Sequence, residues 1–161
     1  IKKYDVEKSI DIRCGDGLTV LNNKDNIDTV VISGMGFQTI LNILNNKNIN
    51  KIKKLIIQSN SYQERIRKTL IKKNFYIFDE KVVKDNNKYY VISVFKKGSK
   101  KYSMIEKEIG VFKCDVISME YINNEIKKNN ILLKLLPLCN FLKRQNIKRK
   151  IYLLKKKKNS K

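Results

Sequence analysis

Three short stretches of this 161-residue chain carry side chains and backbone suited to touching a ligand: Gly15-Asp16-Gly17, Ser33-Gly34-Met35-Gly36 and Gln58-Ser59-Asn60. Glycine lets backbone approach a bound molecule closely, an aspartate between glycines presents one carboxylate, and the amides of Gln58 and Asn60 both donate and accept. The chain contains no histidine, which removes an imidazole base, a Ser/His or Cys/His nucleophile pair and any His-containing zinc site. Cys14, Cys114 and Cys139 are odd in number and lack Cys-x-x-Cys spacing. No metal site is expected from them, and a reducing, cytoplasmic compartment is.

Strands must position these groups. Residues 28–36 read as a β-branched run that ends at two glycines flanking a methionine, and an amphipathic segment over 39–46 follows at once: strand, tight turn, helix. Residues 9–13 read as an earlier strand closing on Cys14-Gly15-Asp16-Gly17, with a helical turn over 18–21; a plain turn with a helix cap is the other reading. A further strand over 54–58 stops at Ser59-Asn60, and a helix over 61–73 carries Ile66 and Leu70 toward the sheet. In an open α/β sheet, ligands bind in the crevice beyond the carboxyl ends of the strands. The tips around Asp16, Met35 and Asn60 are therefore expected to converge on one pocket. Strand-like runs over 75–83 and 88–95 flank Asp85-Asn86-Asn87 and read as a β-hairpin, which adds antiparallel pairing.

Residues 98–101 punctuate the chain as a linker, dividing it into residues 1–100 and a helical part over 101–161. Ile105, Ile109, Phe112, Val116, Met119 and Ile126 follow alternating steps of four and three, interrupted at Asn123, which reads as a coiled-coil seam. A turn is expected at Asn129-Asn130, then a returning helix over 131–154, kinked near Pro137. The net charge is +21, and every charged residue after Glu125 is basic, Lys143, Arg144, Lys148 and Arg149 among them. Clustered lysines gain free energy by releasing counterions from phosphates, so a nucleic acid held by its backbone is the expected partner. The plain readings are a lysine-rich compositional bias and, for residues 155–161, a disordered solvated tail. No apolar run approaches the roughly 20 residues that cross a bilayer. No membrane, metal or obligate protein partner is expected.

Ile12-Arg13-Cys14-Gly15-Asp16-Gly17-Leu18, residues 28–36, Gln58-Ser59-Asn60 with Arg67 following, and Lys88 and Tyr90 resemble the bacterial tRNA (adenine-N1)-methyltransferases that act on adenine 22. The resemblance covers nearly the whole chain. It implies a Rossmann-like class I methyltransferase sheet ending in an antiparallel hairpin, a C-terminal helical hairpin or coiled coil that helps hold tRNA, and S-adenosylmethionine as cofactor. Carried over, Asp16 and Gly17 meet the cofactor adenine; Ser33, Gly34, Met35 and Gly36 form the loop between methyl donor and target base. Gln58 and Asn60 offer amides to that base or to the loop, Arg67 contacts phosphate, and Lys143, Arg144, Lys148 and Arg149 hold tRNA. Met35 simply packing, and Arg67 on a helix surface, are the alternatives.

Two residues depart from the family pattern: Phe37 where a second glycine is usual, where its ring stacks on a base or obstructs it, and Ser59 where proline is usual. The chain begins at Ile1, and residues 1–8 read as the tail of a helix. The family's first strand, with its glycine-rich cofactor loop, and its second, with the acid that holds the ribose, are not among these residues. In the family's sheet order those two strands lie between the strand at residue 9 and the strand at residue 28. Either the sequence is a piece of a longer protein, or residues 9–13 are displaced from the sheet. A methyltransferase acting on another RNA or on a small molecule, a non-catalytic RNA-binding module, and a structural coiled-coil partner remain open beside tRNA methylation.

Overall fold

The β-branched run forms strand β1, Thr29–Met35, and helix α1, Phe37–Leu44, starts directly after it with Gly36 as N-cap. The computed structural model describes residues 9–160; the expected helix tail over residues 1–8 lies outside them. Ile40 and Leu44, one turn apart, give α1 its buried stripe. A short 3-10 turn, Lys47–Lys51, leads into β2, Lys54–Ser59, where Leu55, Ile57 and Ser59 alternate inward. Helix α2, Gln63–Lys72, buries Ile66, Arg67 and Leu70. Strands β3, Phe75–Asp85, and β4, Lys88–Lys97, meet at Asn86 and Asn87, whose φ values of 45° and 61° are the positive pair that a type I′ hairpin turn demands. The sheet order is β1-β2-β4-β3, with β1 and β2 parallel and the other pairs antiparallel. This is the expected α/β class, a parallel sheet finished by an antiparallel hairpin.

Residues 9–13 do not form the expected strand. They lie exposed, with Ile12 75% accessible, and Arg13 is turned to Asp11 and Asp25 instead. Strand β1 is an edge of the sheet, and an extended segment without a ladder partner cannot satisfy its backbone as a strand. Residues 9–13 thus lie outside the sheet, an arrangement compatible with either of the two expectations, a displaced segment or a piece of a longer protein.

Two hydrophobic cores share the β3–β4 hairpin. Its open ends carry Phe75, Ile77 and Phe95 into a core with Leu55, Ile57 and the buried stripes of α1 and α2. Its turn-proximal half carries Val82 and Val91 into a second core with Phe112, Ile122, Leu153 and Leu154. Glu80 and Ser93 face each other across the ladder between the two, and the Ser93 hydroxyl donates to Glu80 Oε1 at 2.6 Å.

The helical part departs from a continuous seam. Helix α3 is only Met104–Glu108, opened by a capping box between Ser103 and Glu106. Gly110 at φ +126° breaks the helix, and Ile109 and Phe112 are buried from the connection rather than from a coiled coil. Val116, assigned to the seam, is 76% exposed. Helix α4, Val116–Leu135, runs straight through Asn129-Asn130. The Asn129 amide donates to the Glu125 carbonyl at 2.8 Å, four residues back, so the expected turn is absent. Reversal occurs around Pro137, because Leu136 before it is pushed to extended geometry (ψ 130°). Helix α5, Phe141–Asn159, returns along α4 and keeps Lys155 to Lys158 helical, anchored by buried Leu153 and Leu154, where a disordered tail is the plain sequence reading.

Candidate active site

At the end of β1 the pairing with β2 shifts register between Ile32 and Met35, so Ser33 and Gly34 leave the ladder and stand exposed. Gly34 has φ +75°, and a Cβ added there would meet nothing within 4 Å. Side chains from the next strand tip hold both of its backbone groups. The Gly34 N–H donates to Gln58 Oε1 at 2.7 Å, and Asn60 Nδ2 donates to the Gly34 carbonyl at 2.9 Å. Gln58 Nε2 donates to Asn60 Oδ1 at 3.1 Å, and the Asn60 N–H donates to the Met35 carbonyl at 2.9 Å. The first three bonds make a closed ring and the fourth ties it to Met35, and together they fix a glycine loop otherwise free to sample many conformations. Ser33, Gly34, Met35, Gln58 and Asn60 are therefore brought together as the sequence suggests, with Met35 left 40% exposed beside the loop.

The two departures from the family pattern have local explanations. The buried Ser59 hydroxyl donates to the Ser61 carbonyl at 2.7 Å and so shapes the turn by a hydrogen bond where a proline would do so by its ring. Phe37 is half-buried on the first core and meets the edge of Tyr62 at 6.2 Å between ring centroids.

Asp16 is not joined to this ring by any hydrogen bond among the described residues. Its turn, Gly17–Val20, is anchored elsewhere: Leu18 enters the core, and Asn48 Nδ2 donates to the carbonyls of Leu18 and Leu21. The Asp16 carboxylate is exposed and makes no capping bond to that turn. Nearby, the Arg13 guanidinium holds Asp25 down to about 2.

Gln58 and Asn60, which pin the loop, also line a groove between the sheet and the helical hairpin. One part, of about 520 Å³, is lined by Gln58, Asn60 and Tyr89 from the sheet, by Gln63 at the start of α2 and by Asn124 and Lys128 of α4. Gln63 Nε2 donates to the Ser59 carbonyl at 2.9 Å and holds the wall. Tyr89 donates to Glu120, whose carboxyl is kept below its ordinary range chiefly by Lys84 and then by Tyr89. Sequence reasoning missed Tyr62, Gln63, Tyr89 and Asn124, since no local pattern says that the middle of α4 lies over the tips of β2 and β4.

Arg67 corrects the expectation of a phosphate contact. It is 2% exposed and donates from Nε to Glu80 Oε1 at 2.7 Å and from Nη1 to the Glu108 carbonyl at 3.3 Å. A guanidinium buried against a carboxylate has neither access nor spare charge for RNA. Arg144 likewise turns inward and donates to the carbonyls of Leu133 and Leu136, closing the C-terminal end of α4. Arg149 is exposed but pairs with Glu108 at 3.0 Å. Lys143 lines the groove, and Lys148 is exposed on α5. Among the described residues, no cluster of three or more His, Cys, Asp or Glu side chains is placed to hold a metal, and no helix is long and apolar enough to cross a membrane.

The chain was compared with known proteins. The profile of the family described as TrmK, tRNA (adenine(22)-N(1))-methyltransferase, matches residues 1–157. The tRNA (adenine(22)-N(1))-methyltransferase of Bacillus subtilis (strain 168) is 30% identical over 102 residues, which are 62% of this chain and 42% of that protein. The chain thus spans less than half the length of the curated relative it matches. A protein of the NADB-Rossmann superfamily from Streptococcus agalactiae superposes with a TM-score of 0.88 at 29% identity, covering 98% of this chain and 72% of that one. M. capricolum TrmK, solved with the cofactor product S-adenosyl-homocysteine, gives a TM-score of 0.83 at 30% identity, covering 96% and 71%.

Proposed function

Since the chain belongs to the tRNA (adenine(22)-N(1))-methyltransferase family, we propose that it takes part in methyl transfer from S-adenosylmethionine to N1 of adenine 22 in tRNA. The observation that carries this reading is the closed ring of hydrogen bonds holding Gly34 between Gln58 and Asn60. It fixes an exposed, uncharged loop at the carboxyl edge of the sheet, where ligands bind in folds of this kind. The residues present fit part of the cofactor, its glycine-rich loop and ribose-holding acid not being among them: Asp16 offers an exposed carboxylate suited to an exocyclic amine, and Gly34 offers backbone with open space in front of it. Asp16 and Gly17 would hold the adenine end, and Ser33 and Gly34 would flank the donor end. When bound, the cofactor supplies an activated methyl group.

The demands left to this chain are modest. The N1 lone pair of an unpaired or flipped adenine is itself the nucleophile and the product is a cation, so no general base is required, in keeping with a chain that lacks histidine. Rate then depends on alignment, and a loop pinned on both backbone groups of one glycine is a means of alignment. Lys128 and Lys143, exposed along the groove, support phosphate positioning. Nucleoside mass spectrometry of tRNA incubated with the protein and S-adenosylmethionine should show N1-methyladenosine, lost when adenine 22 is replaced by guanine. A tRNA recovered without that nucleoside would remove the reading.

A further inference from the structure

Tyr62 lines the groove in a backbone conformation that an aromatic residue rarely adopts, φ 53° and ψ 44°. The ring is 53% exposed, yet it is not loose. Phe37 meets it edge to face at 69°, and the Arg65 guanidinium lies 4.5 Å from its centroid. Such a ring costs little further entropy when a second flat surface comes to rest on it. The groove that it helps to line has a volume of about 600 Å³, with Lys128, Lys143 and Lys150 on the α4–α5 side. Those lysines and Arg65 outnumber the acids of the same groove, Glu64 and Glu125. Glu125 lies 3.2 Å from Lys128 and 3.5 Å from Lys150, so two of the ammonium groups are held in place on that wall.

An exposed ring that lines one groove with several lysines is the arrangement that receives single-stranded nucleic acid, bases stacking on the ring and phosphates meeting the cations. We propose that Tyr62, backed by Arg65 and Phe37, is a stacking platform for an unpaired nucleobase of the RNA strand lying in this groove. The inference rests on the RNA-directed reading above and adds the side chain that holds a base against the sheet edge. It also gives Phe37 a task, as the buttress of the ring.

The test uses the whole chain and tRNA carrying 2-aminopurine, whose fluorescence is quenched on stacking, at position 22 or at either flanking position. Quenching at position 22 assigns the platform to the target base, quenching at a flanking position assigns it to a neighbour, and quenching at none overturns the proposal. Tyr62→Asn should weaken RNA binding about tenfold with its Tm at or above that of the parent, since asparagine tolerates this backbone. Tyr62→Phe should bind within about twofold of the parent, because the ring and not the hydroxyl carries a stacking contact. A Tyr62→Asn protein that binds as tightly as the parent would overturn the platform. Methylation by the parent, followed in parallel, judges the proposed function separately.

Discussion

Arg65 and Arg67 lie two residues apart on α2 and meet opposite fates. Arg65 faces the groove and lies over the exposed ring of Tyr62. Arg67 is buried between the two cores with Glu80, Ser93 and the backbone of the segment after α3. A helix turns 100° per residue, so positions two apart cannot share a face. The glycines of the two regions differ in the same way. Gly34, in the open loop, has nothing near its missing Cβ, whereas a Cβ on Gly110 would fall 2.5 Å from Glu80 Oε2 and 2.8 Å from Arg67 Nη2. One region spends polar groups on holding the molecule together, and the other leaves them available to a ligand.

The largest effect is expected at the joint. Arg67→Ala strands the Glu80 carboxylate, 0% exposed in its side chain, and should cost about 3–5 kcal/mol in urea unfolding. A loss no greater than that of a surface arginine such as Arg65→Ala would erase the contrast between the regions. Gly110→Ala should follow at about 3 kcal/mol, combining overpacking with a strained backbone at φ +126°. Gly34→Ala shares only the backbone part and should cost about 1–2 kcal/mol, while the proposed methyl transfer should fall far more than stability does. Equal stability losses in the two glycine variants would show that the space around Gly110 does not matter.

The smallest expected effect sharpens the comparison by pH. Asp115 caps α4 by accepting from the Ser118 N–H and hydroxyl, and those bonds hold its carboxyl below the ordinary 3.8. A depressed folded value means that this contribution is complete above the unfolded value and disappears as pH falls through the folded one. Stability followed from pH 7 downward should therefore show no loss of this cap's contribution until below about pH 4. Asp115→Asn, which still caps but does not titrate, should flatten that part of the curve. A parent and variant that decline in parallel would deny the cap any part in acid sensitivity.

Much of the site could be read along the chain. A β-branched run stopped by Gly34-Met35-Gly36 can hardly be other than a strand leading into a turn, and amides at Gln58 and Asn60 at the next strand end were already candidates for the loop. Asn129 and Pro137 show where such reading fails. Both are turn formers, but only the proline lacks an amide hydrogen, and a helix packed on a neighbour absorbs an asparagine that bonds back to its own carbonyl. The strand expected over residues 9–13 failed for another reason: a strand is defined by its partner, and the edge of β1 gives it none.

The sequence by itself determined the strand tips near Met35 and Ser59, the hairpin turn, the absence of imidazole chemistry and the excess of positive charge, because each follows from residue type or from periodicity along one element. Only the tertiary structure decided that Arg67 is a pillar and not a phosphate contact, that Gly110 must be glycine, and that Tyr62 lines one groove with lysines of the hairpin. Those facts depend on the space between elements far apart in the chain, and that space is fixed by how two cores share one β-hairpin.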